Sequence, residues 1–270
     1  MSNEYVHGYS YEEAMRLNDQ ADSLSTLLHH DSKWAPGSLI LEAGCGVGAQ
    51  TKTIAPANPE SKFISVDISQ DSVIQAKAMA QLHGINNVTF QQGDLFNLDF
   101  PEAHFDHIFV CFVLEHLPDP VLALNELKKL LKPGGTITVI EGDHGSTYFY
   151  PESDLAQAAV QCQVSLQARN GGDANIGRRL YPLLEAATFD QIRVSPRQVY
   201  VDDSNPRWVE GFTRNTFTAM IKGVRKDALA NQLMNASDFD QGIKDLYRTS
   251  EGGGTFCYTF FKAVAVKETV

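Results

Sequence analysis

The stretch SLILEAGCGVGAQT occupies residues 38–51 and holds the pattern that decides the fold. Its apolar run Leu39–Leu41 predicts a short buried parallel strand. Gly44, Gly46 and Gly48 follow, and glycine lets the backbone turn sharply and approach a ligand closely. Helix-forming residues come next. Strand, glycine turn and helix are typical of the start of a nucleotide-binding α/β domain, in which backbone N–H groups and a helix N-terminus face the ligand.

Two acidic residues at predicted strand ends indicate which kind of nucleotide is bound. Glu42 directly precedes the glycines, and Asp67 ends a second apolar run at 63–66. A carboxylate at the tip of the second strand can accept hydrogen bonds from both ribose hydroxyls of an adenosine. Residues 44–49 also match the loose dinucleotide pattern G-x-G-x-x-A, but Glu42 would repel a diphosphate. Its charge suits a ligand with an ammonium and a sulfonium group.

Five ordered motifs across residues 38–142 resemble those of the class I S-adenosylmethionine (SAM)-dependent methyltransferases. They are EAGCGVG at 42–48, VDIS at 66–69, QGDL at 92–95, the run from Phe105 to Leu117, and LKPGG at 131–135. The resemblance implies SAM as the cofactor. It also implies these cofactor-binding residues: Glu42, Gly44, Cys45, Gly46 and Gly48 in the loop, Asp67 and Ile68 at the ribose, Asp94 and Leu95 at the adenine, and Cys111 and Phe112 at the tip of the fourth strand. A plain turn role for Asp94 is the alternative.

The first segment, residues 1–35, is expected to carry an N-terminal cap helix. Ser10 and Glu13 have the spacing of a capping box and predict a helix from Ser10 to His29. The segment also resembles a subgroup in which this helix closes over the methionine end of SAM. That resemblance implies Tyr5 and Gln20 as further cofactor-binding residues.

Alternating strand and helix patterns predict an α/β fold. Together with the resemblance, they indicate a Rossmann-like, seven-stranded, mostly parallel sheet with an antiparallel last strand. Predicted strands cover 38–43, 62–67, 88–91, 105–112, 136–141, 189–201 and 255–264, and predicted helices cover 48–55, 70–83, 119–131, 152–170 and 177–187.

Residues 202–254 are an insertion between the last two strands, with aromatic and aliphatic residues at helical spacing. We interpret it as a helical lid over the substrate, because insertions at the ligand edge of such a sheet often carry specificity. The alternative is a helical hairpin with a small core of its own. The chain, 1–270, is expected to form one methyltransferase domain.

Two histidines near predicted strand ends are candidate catalytic bases. His144 follows Asp143 in the polar, glycine-containing run 141–146, which is expected to be a loop, and it is the stronger candidate. His116 lies in the run Leu-Glu-His-Leu that opens the next helix in many relatives, so a structural or SAM-orienting role is favoured for it. A structural role for His144, bonded to Asp143, is equally open.

Substrate-binding candidates follow in the less regular half of the chain. Tyr148, Phe149 and Tyr150 form an aromatic run that can line a pocket for an apolar or cationic substrate, or simply pack. Arg169 is one of several arginines able to bind a substrate carboxylate. No metal site is predicted, because the acids and histidine at 141–144 lack the i, i+4 spacing of a ligand pair.

Composition narrows the class of protein further. A net charge of −11 in 270 residues disfavours nucleic acid as a substrate and favours a cationic or neutral small molecule. Four widely spaced cysteines without C-x-x-C predict reduced, mostly buried thiols in a cytoplasmic protein. Neither a signal peptide nor a membrane-spanning run of 18 apolar residues is evident.

Three functions are compatible with these features. The first is a SAM-dependent methyltransferase acting on a small molecule through an O, N, C or S acceptor. The second is a SAM-binding protein of the same fold without methyl transfer, a cyclase or binding module. The third is an NAD(P)-dependent oxidoreductase, for which Tyr258-x-x-x-Lys262 has the dehydrogenase spacing. That pair needs a helix, and the pattern at 255–264 is a strand, so we reject this third interpretation.

Overall fold

The computed structural model describes residues 24–269, which form two compact units. The major unit comprises Ser25–Glu141, Ile176–Pro196 and residues 261–269. The minor unit comprises Leu24, Gly142–Asn175 and Arg197–Phe260.

Seven strands form one sheet in the order β3-β2-β1-β4-β5-β7-β6. The strands are β1 (Leu39–Ala43), β2 (Lys62–Asp67), β3 (Val88–Gln92), β4 (Phe105–Cys111), β5 (Leu131–Tyr150), β6 (Asp190–Val201) and β7 (Thr255–Val266). Strands β1 to β5 pair in parallel, and the last strand is antiparallel. This topology confirms the predicted α/β fold.

The chain leaves β1 towards β2 on one side and returns to β4 on the other, so the strand order reverses at β1. Ligands of open α/β sheets bind at the carboxyl ends of the strands beside such a reversal. Most side chains of β1 and β4, and those of residues 137–144 in β5, are buried, as strands covered on both faces require. The candidate site of the major unit therefore lies at the carboxyl ends of β1, β2 and β4, beside this reversal.

Helices connect these strands. They are α1 (Thr51–Ile54), α2 (Gln70–Leu82), α3 (Pro120–Leu130), α4 (Asp154–Arg169), α5 (Leu180–Ala186), α6 (Pro206–Trp208), α7 (Ala219–Gly223), α8 (Arg225–Ala230) and α9 (Ala236–Arg248). Residues 24–29 are also helical, and a π-helix spans Val209–Thr218. Ser69 caps α2 by accepting a hydrogen bond from Ser72 N–H at 3.2 Å.

Two predicted elements differ from the structure. The helix expected at 48–55 is reduced to the four residues of α1, because Gly48 has a φ of +84° and a positive φ cannot continue a right-handed helix. The loop expected at 141–146 is instead part of β5. There Thr259 N–H of the neighbouring strand β7 donates to Ser146 Oγ at 2.9 Å, so pairing overrides the turn-like composition.

The insertion 202–254 is helical, as predicted, but it does not form a unit of its own. It belongs to the minor unit together with residues 142–175. Ser153, which caps α4, donates to Asp245 Oδ2 of α9 at 2.6 Å. Phe212 and Phe217 of the π-helix contact Tyr258 with ring centroids 5.8 and 5.6 Å apart. A lid function for this segment stays a prediction.

Within residues 24–269 we find no helix long and apolar enough to span a membrane.

Candidate functional site

The carboxylate of Asp67 lies at the carboxyl end of β2 and is held by two backbone groups. Gly46 N–H donates to Oδ2 at 2.8 Å, and Ser69 N–H donates to Oδ1 at 2.9 Å. Burial raises the pKa of Asp67, and the two N–H bonds oppose that rise. A carboxylate oxygen has two lone pairs, so each oxygen can accept one more hydrogen bond. The arrangement fits the vicinal hydroxyls of a ribose.

Most backbone N–H groups of the glycine loop, residues 44–48, donate hydrogen bonds within the protein. Gly44 and Cys45 N–H donate to Val66 O at 2.8 and 2.9 Å, and Gly48 N–H donates to Cys45 O at 2.9 Å. The expectation that these N–H groups face the ligand is therefore wrong for these three positions and for the Gly46 N–H that binds Asp67. The short α1 offers no helix N-terminus for an anion either. Such a loop does not suit a diphosphate.

Gly44 is required by both its backbone and its surroundings. Its φ is +78°, in the left-handed region, and a Cβ at this position would overlap with Cγ2 of Val113. Val113 is the second residue after β4. The glycine loop and the residues after β4 therefore touch each other without room for a side chain.

Glu42 is turned into the protein at the end of β1. Its Oε2 accepts hydrogen bonds from Thr51 Oγ at 2.7 Å and from Ser65 Oγ at 2.5 Å. Burial raises the pKa of Glu42 from 4.5 to about 7, although the two hydroxyl bonds act against it. Because Glu42 is then only partly ionised at neutral pH, it is a weaker partner for a cation than the sequence suggests. Direct ligand contact by Glu42 stays a prediction.

The segment from Cys111 to Leu114, which we name the β4 tip, leaves the sheet in an unusual conformation. Phe112 has a φ of +58°, which is rare for a residue with a side chain. Its N–H donates to Ile140 O at 2.9 Å. Burial raises the pKa of the Cys45 and Cys111 thiols, so both stay protonated at neutral pH and neither is a nucleophile.

Glu141, which the sequence analysis did not assign to the cofactor, lies within β5 where this strand passes the β4 tip. Its Oε1 accepts hydrogen bonds from Val113 N–H at 3.0 Å and Leu114 N–H at 2.8 Å. The signal was present in the sequence, because an acid ends the apolar run Thr-Val-Ile just as Glu42 and Asp67 end theirs.

The predicted adenine turn is confirmed as a turn. Asp94 is exposed, its Oδ1 accepts from Phe96 N–H at 3.0 Å, and its carbonyl accepts from Asn97 N–H at 2.9 Å. The turn role that was the alternative for Asp94 is thus observed, while adenine binding by Asp94 and Leu95 stays a prediction. Ile68 is 61% exposed beside Asp67, which leaves an apolar surface open to a ligand at the ribose acid.

His116 lies in a 3₁₀ turn, Leu114–His116, directly after the β4 tip. Its Nε2 is 3.6 Å from a carboxylate oxygen of Glu115. A role for His116 in orienting SAM stays a prediction.

His144 is buried in the minor unit rather than exposed in a loop. Its Nδ1 lies 2.9 Å from the hydroxyl of Tyr258, and its N–H donates to Ala174 O at 3.0 Å. The ring of Phe217 lies 6.0 Å from the imidazole, centroid to centroid. Tyr258 fits there because position 142 is glycine. A residue with a Cβ at this position would overlap with the phenol oxygen. The imidazole is thus firmly placed.

The substrate candidates also belong to the minor unit. Tyr148 and Tyr150 are 70% and 62% exposed, whereas Phe149 stacks on Phe256 at 6.5 Å. Successive side chains of a strand point to opposite faces, so Phe149 lies on the face opposite to Tyr148 and Tyr150. Arg169 donates to Asn231 Oδ1 at 2.7 Å. Substrate binding by Tyr148, Tyr150 and Arg169 stays a prediction.

The dehydrogenase-like pair occupies β7, as expected from its strand pattern. Tyr258 bonds to His144, and Lys262 is buried with three acceptors: Asp31 Oδ1 at 2.6 Å, Ser32 Oγ at 2.8 Å and Leu28 O at 3.1 Å. Lys262 therefore binds the end of the helix at 24–29 and the residues that follow it.

Tyr5 and Gln20 lie outside the described residues. Residues 24–269 contain no cluster of three or more His, Cys, Asp or Glu side chains arranged to hold a metal ion. The major unit thus brings together Glu42, the glycine loop, Asp67, the adenine turn and the β4 tip. His144, Tyr148, Tyr150 and Arg169 are placed in the minor unit.

Comparisons with known proteins show what the chain is similar to. The family model of a methyltransferase domain matches residues 35–188. An uncharacterized 37.1 kDa protein in transposon TN4556 of Streptomyces fradiae is 32% identical over 226 residues, covering 83% of this chain and 64% of its own length. The demethylmenaquinone methyltransferase of Lactococcus lactis is 31% identical over 118 residues, covering 43% of this chain and 47% of its own.

Solved structures share the fold. The [4+2]-cyclase SpnF superposes with a TM-score of 0.54 at 19% sequence identity, covering 94% of this chain and 81% of its own. This likeness concerns the fold alone. The chain spans 64%, 52% and 46% of the length of three curated relatives.

Proposed function

Because the chain belongs to the class I SAM-dependent methyltransferases, we propose that it methylates a small molecule with SAM held in the major unit. The observation that carries this proposal is the Asp67 carboxylate, fixed by Gly46 N–H and Ser69 N–H at the end of β2. A carboxylate held in place before binding loses little freedom when it accepts two ribose hydroxyls. The loop 44–48 and the turn at Asp94 and Leu95 complete the proposed cofactor contacts.

SAM supplies an electrophilic methyl group on a sulfonium, which an acceptor displaces in line. The protein's own task is then alignment and exclusion of water. The protonated Cys45 and Cys111 thiols do not compete with the acceptor as nucleophiles. A net charge of −11 favours a neutral or cationic acceptor, and a relative named for demethylmenaquinone supports a small molecule.

His144 is the general base in this proposal. Its burial and its hydrogen bond to Tyr258 fix the ring, as efficient proton transfer requires.

Titration calorimetry with SAM and with NADH tests the cofactor. We expect SAM to bind and NADH not to bind, because the loop N–H groups that would hold a diphosphate are used internally. Binding of NADH without binding of SAM would overturn the proposal.

Incubation with methyl-labelled SAM and a cell extract tests the transfer. We expect a labelled small product from the wild type, and a rate about 100-fold lower from His144→Gln at unchanged SAM affinity. His83→Gln, an exposed histidine on the other unit, is the matched control. Bound cofactor without any labelled product would instead favour a non-transferring protein, and the cyclase with this fold makes that the second candidate.

A further inference from the structure

The carboxyl group of Glu141 is fully buried at the point where β5 passes the β4 tip. Burying a carboxyl group is costly unless its oxygens are used. Oε1 accepts two hydrogen bonds, from Val113 N–H and Leu114 N–H. Oε2 is enclosed and has no hydrogen-bond partner among the described residues. The two residues before Glu141, Val139 and Ile140, are apolar and equally buried.

The conformation that Glu141 holds is strained. Phe112 adopts a φ of +58°, and a residue with a side chain keeps such a conformation only where its surroundings impose it. The Phe112 N–H is fixed by Ile140 O, and the next two N–H groups are fixed by Glu141. Three consecutive backbone N–H groups of the tip are therefore held by residues 140 and 141 of β5.

The β4 tip contacts the glycine loop. Val113, whose N–H binds Glu141, is the residue that leaves no room for a Cβ on Gly44. A displacement of Val113 would therefore move a direct neighbour of the loop, while Asp67 and the adenine turn make no contact with Glu141 in the hydrogen bonds described.

We propose that Glu141 is a positioning residue of the cofactor site, which holds the β4 tip against the glycine loop through Val113 and Leu114 N–H. The proposal rests on the proposed function, in which we place the β4 tip, at the carboxyl end of its strand, beside the methyl end of SAM. The groups proposed to bind ribose and adenine form no hydrogen bond with Glu141 among those described.

The test compares the affinities of wild type, Glu141→Leu and Glu141→Gln for SAM and for adenosine, measured by calorimetry. Glutamine keeps an oxygen that can accept both N–H groups, whereas leucine removes it. We expect Glu141→Leu to weaken SAM about tenfold and adenosine less than about twofold, and Glu141→Gln to restore SAM affinity to within about threefold of wild type.

Asp106→Asn is the matched control. Asp106 Oδ2 also accepts a backbone bond, from Leu39 N–H at 2.8 Å, and Oδ1 binds Lys132 at 2.6 Å, but at the amino end of β4. We expect this variant to lower the melting temperature without changing SAM affinity. If Glu141→Leu does not fold, Glu141→Asp replaces it, because its shorter side chain withdraws the oxygen from both N–H groups.

The outcomes are distinct. Equal SAM affinity in all variants, or equal losses for SAM and adenosine, would refute the positioning role while leaving the cofactor site intact. A wild type that binds neither SAM nor adenosine would refute the proposed function, and the positioning role with it.

Discussion

At the scale of single residues, Asp67 combines two tasks in one carboxylate. It fastens the glycine loop through Gly46 N–H and the start of α2 through Ser69 N–H, and it presents its remaining lone pairs at the strand end. Few side chains can do both, because the two tasks require two oxygens in one plane at the end of a strand.

We expect Asp67→Ala to weaken SAM binding by about 2 kcal/mol, or about 30-fold, through loss of charge-assisted bonds to the ribose. Calorimetry measures this change. Glu60→Ala removes an exposed carboxylate just before the same strand and should leave the affinity unchanged. Unaltered affinity in Asp67→Ala would show that the ribose lies elsewhere.

Protonation of the Glu42 carboxyl group makes the free energy of unfolding depend on pH. Its pKa is about 7 in the folded protein and near 4.5 unfolded, so the folded state keeps a proton that the unfolded state releases between these values. The resulting stabilisation is complete below pH 4.5 and is lost as the pH rises to 7, by about 3 kcal/mol in total. Glu42→Gln should lack this loss.

Urea unfolding of wild type and Glu42→Gln at pH 5 and pH 8 measures the effect. The wild type should lose more stability than the variant between these two pH values. Parallel changes in both proteins would show that Glu42 does not carry the protonation.

At the scale of elements, the glycine loop and the β4 tip are built as a matched pair. We expect Gly44→Ala to destabilise the protein by about 3 kcal/mol, because the new Cβ overlaps with Val113 in addition to the cost of a positive φ. Gly37→Ala isolates the second cost, since Gly37 has a φ of +81° and open space around it.

The control should lose only about 1 kcal/mol. Urea unfolding gives both values. An equal loss of stability in the two variants would mean that the contact between Gly44 and Val113 is not tight. Glu141 could then not act on the glycine loop through Val113.

At the scale of the whole molecule, Lys262 joins parts of the chain more than 200 residues apart, because its ammonium group binds Leu28, Asp31 and Ser32. We expect Lys262→Met to destabilise the protein by about 3 kcal/mol, since it leaves buried acceptors unsatisfied.

Lys129→Met breaks an ion pair with Glu126 that is largely open to solvent, and it should cost less than about 0.5 kcal/mol. Chemical unfolding of both variants checks the contrast. Similar small losses would show that the three bonds of Lys262 add little to stability.

Much of the fold follows from local pattern. Apolar runs that end in an acid, at Glu42 and Asp67, marked β1 and β2, because such signals act between neighbours in sequence. The errors lie where distant partners decide. β5 continues through a glycine-rich polar run because β7 pairs beside it, and α1 is short because Gly48 is held at a positive φ.

The sequence by itself determined that the residues at the carboxyl ends of the parallel strands share one edge of the sheet, since the direction of these strands follows from the alternation of strands and helices. Only the tertiary structure decided how they are used. It turned Glu42 inward onto Thr51 and Ser65, paired His144 with Tyr258, and set Glu141 on the β4 tip. The physical reason is that buried polar groups must find partners, and those partners lie far away in the chain.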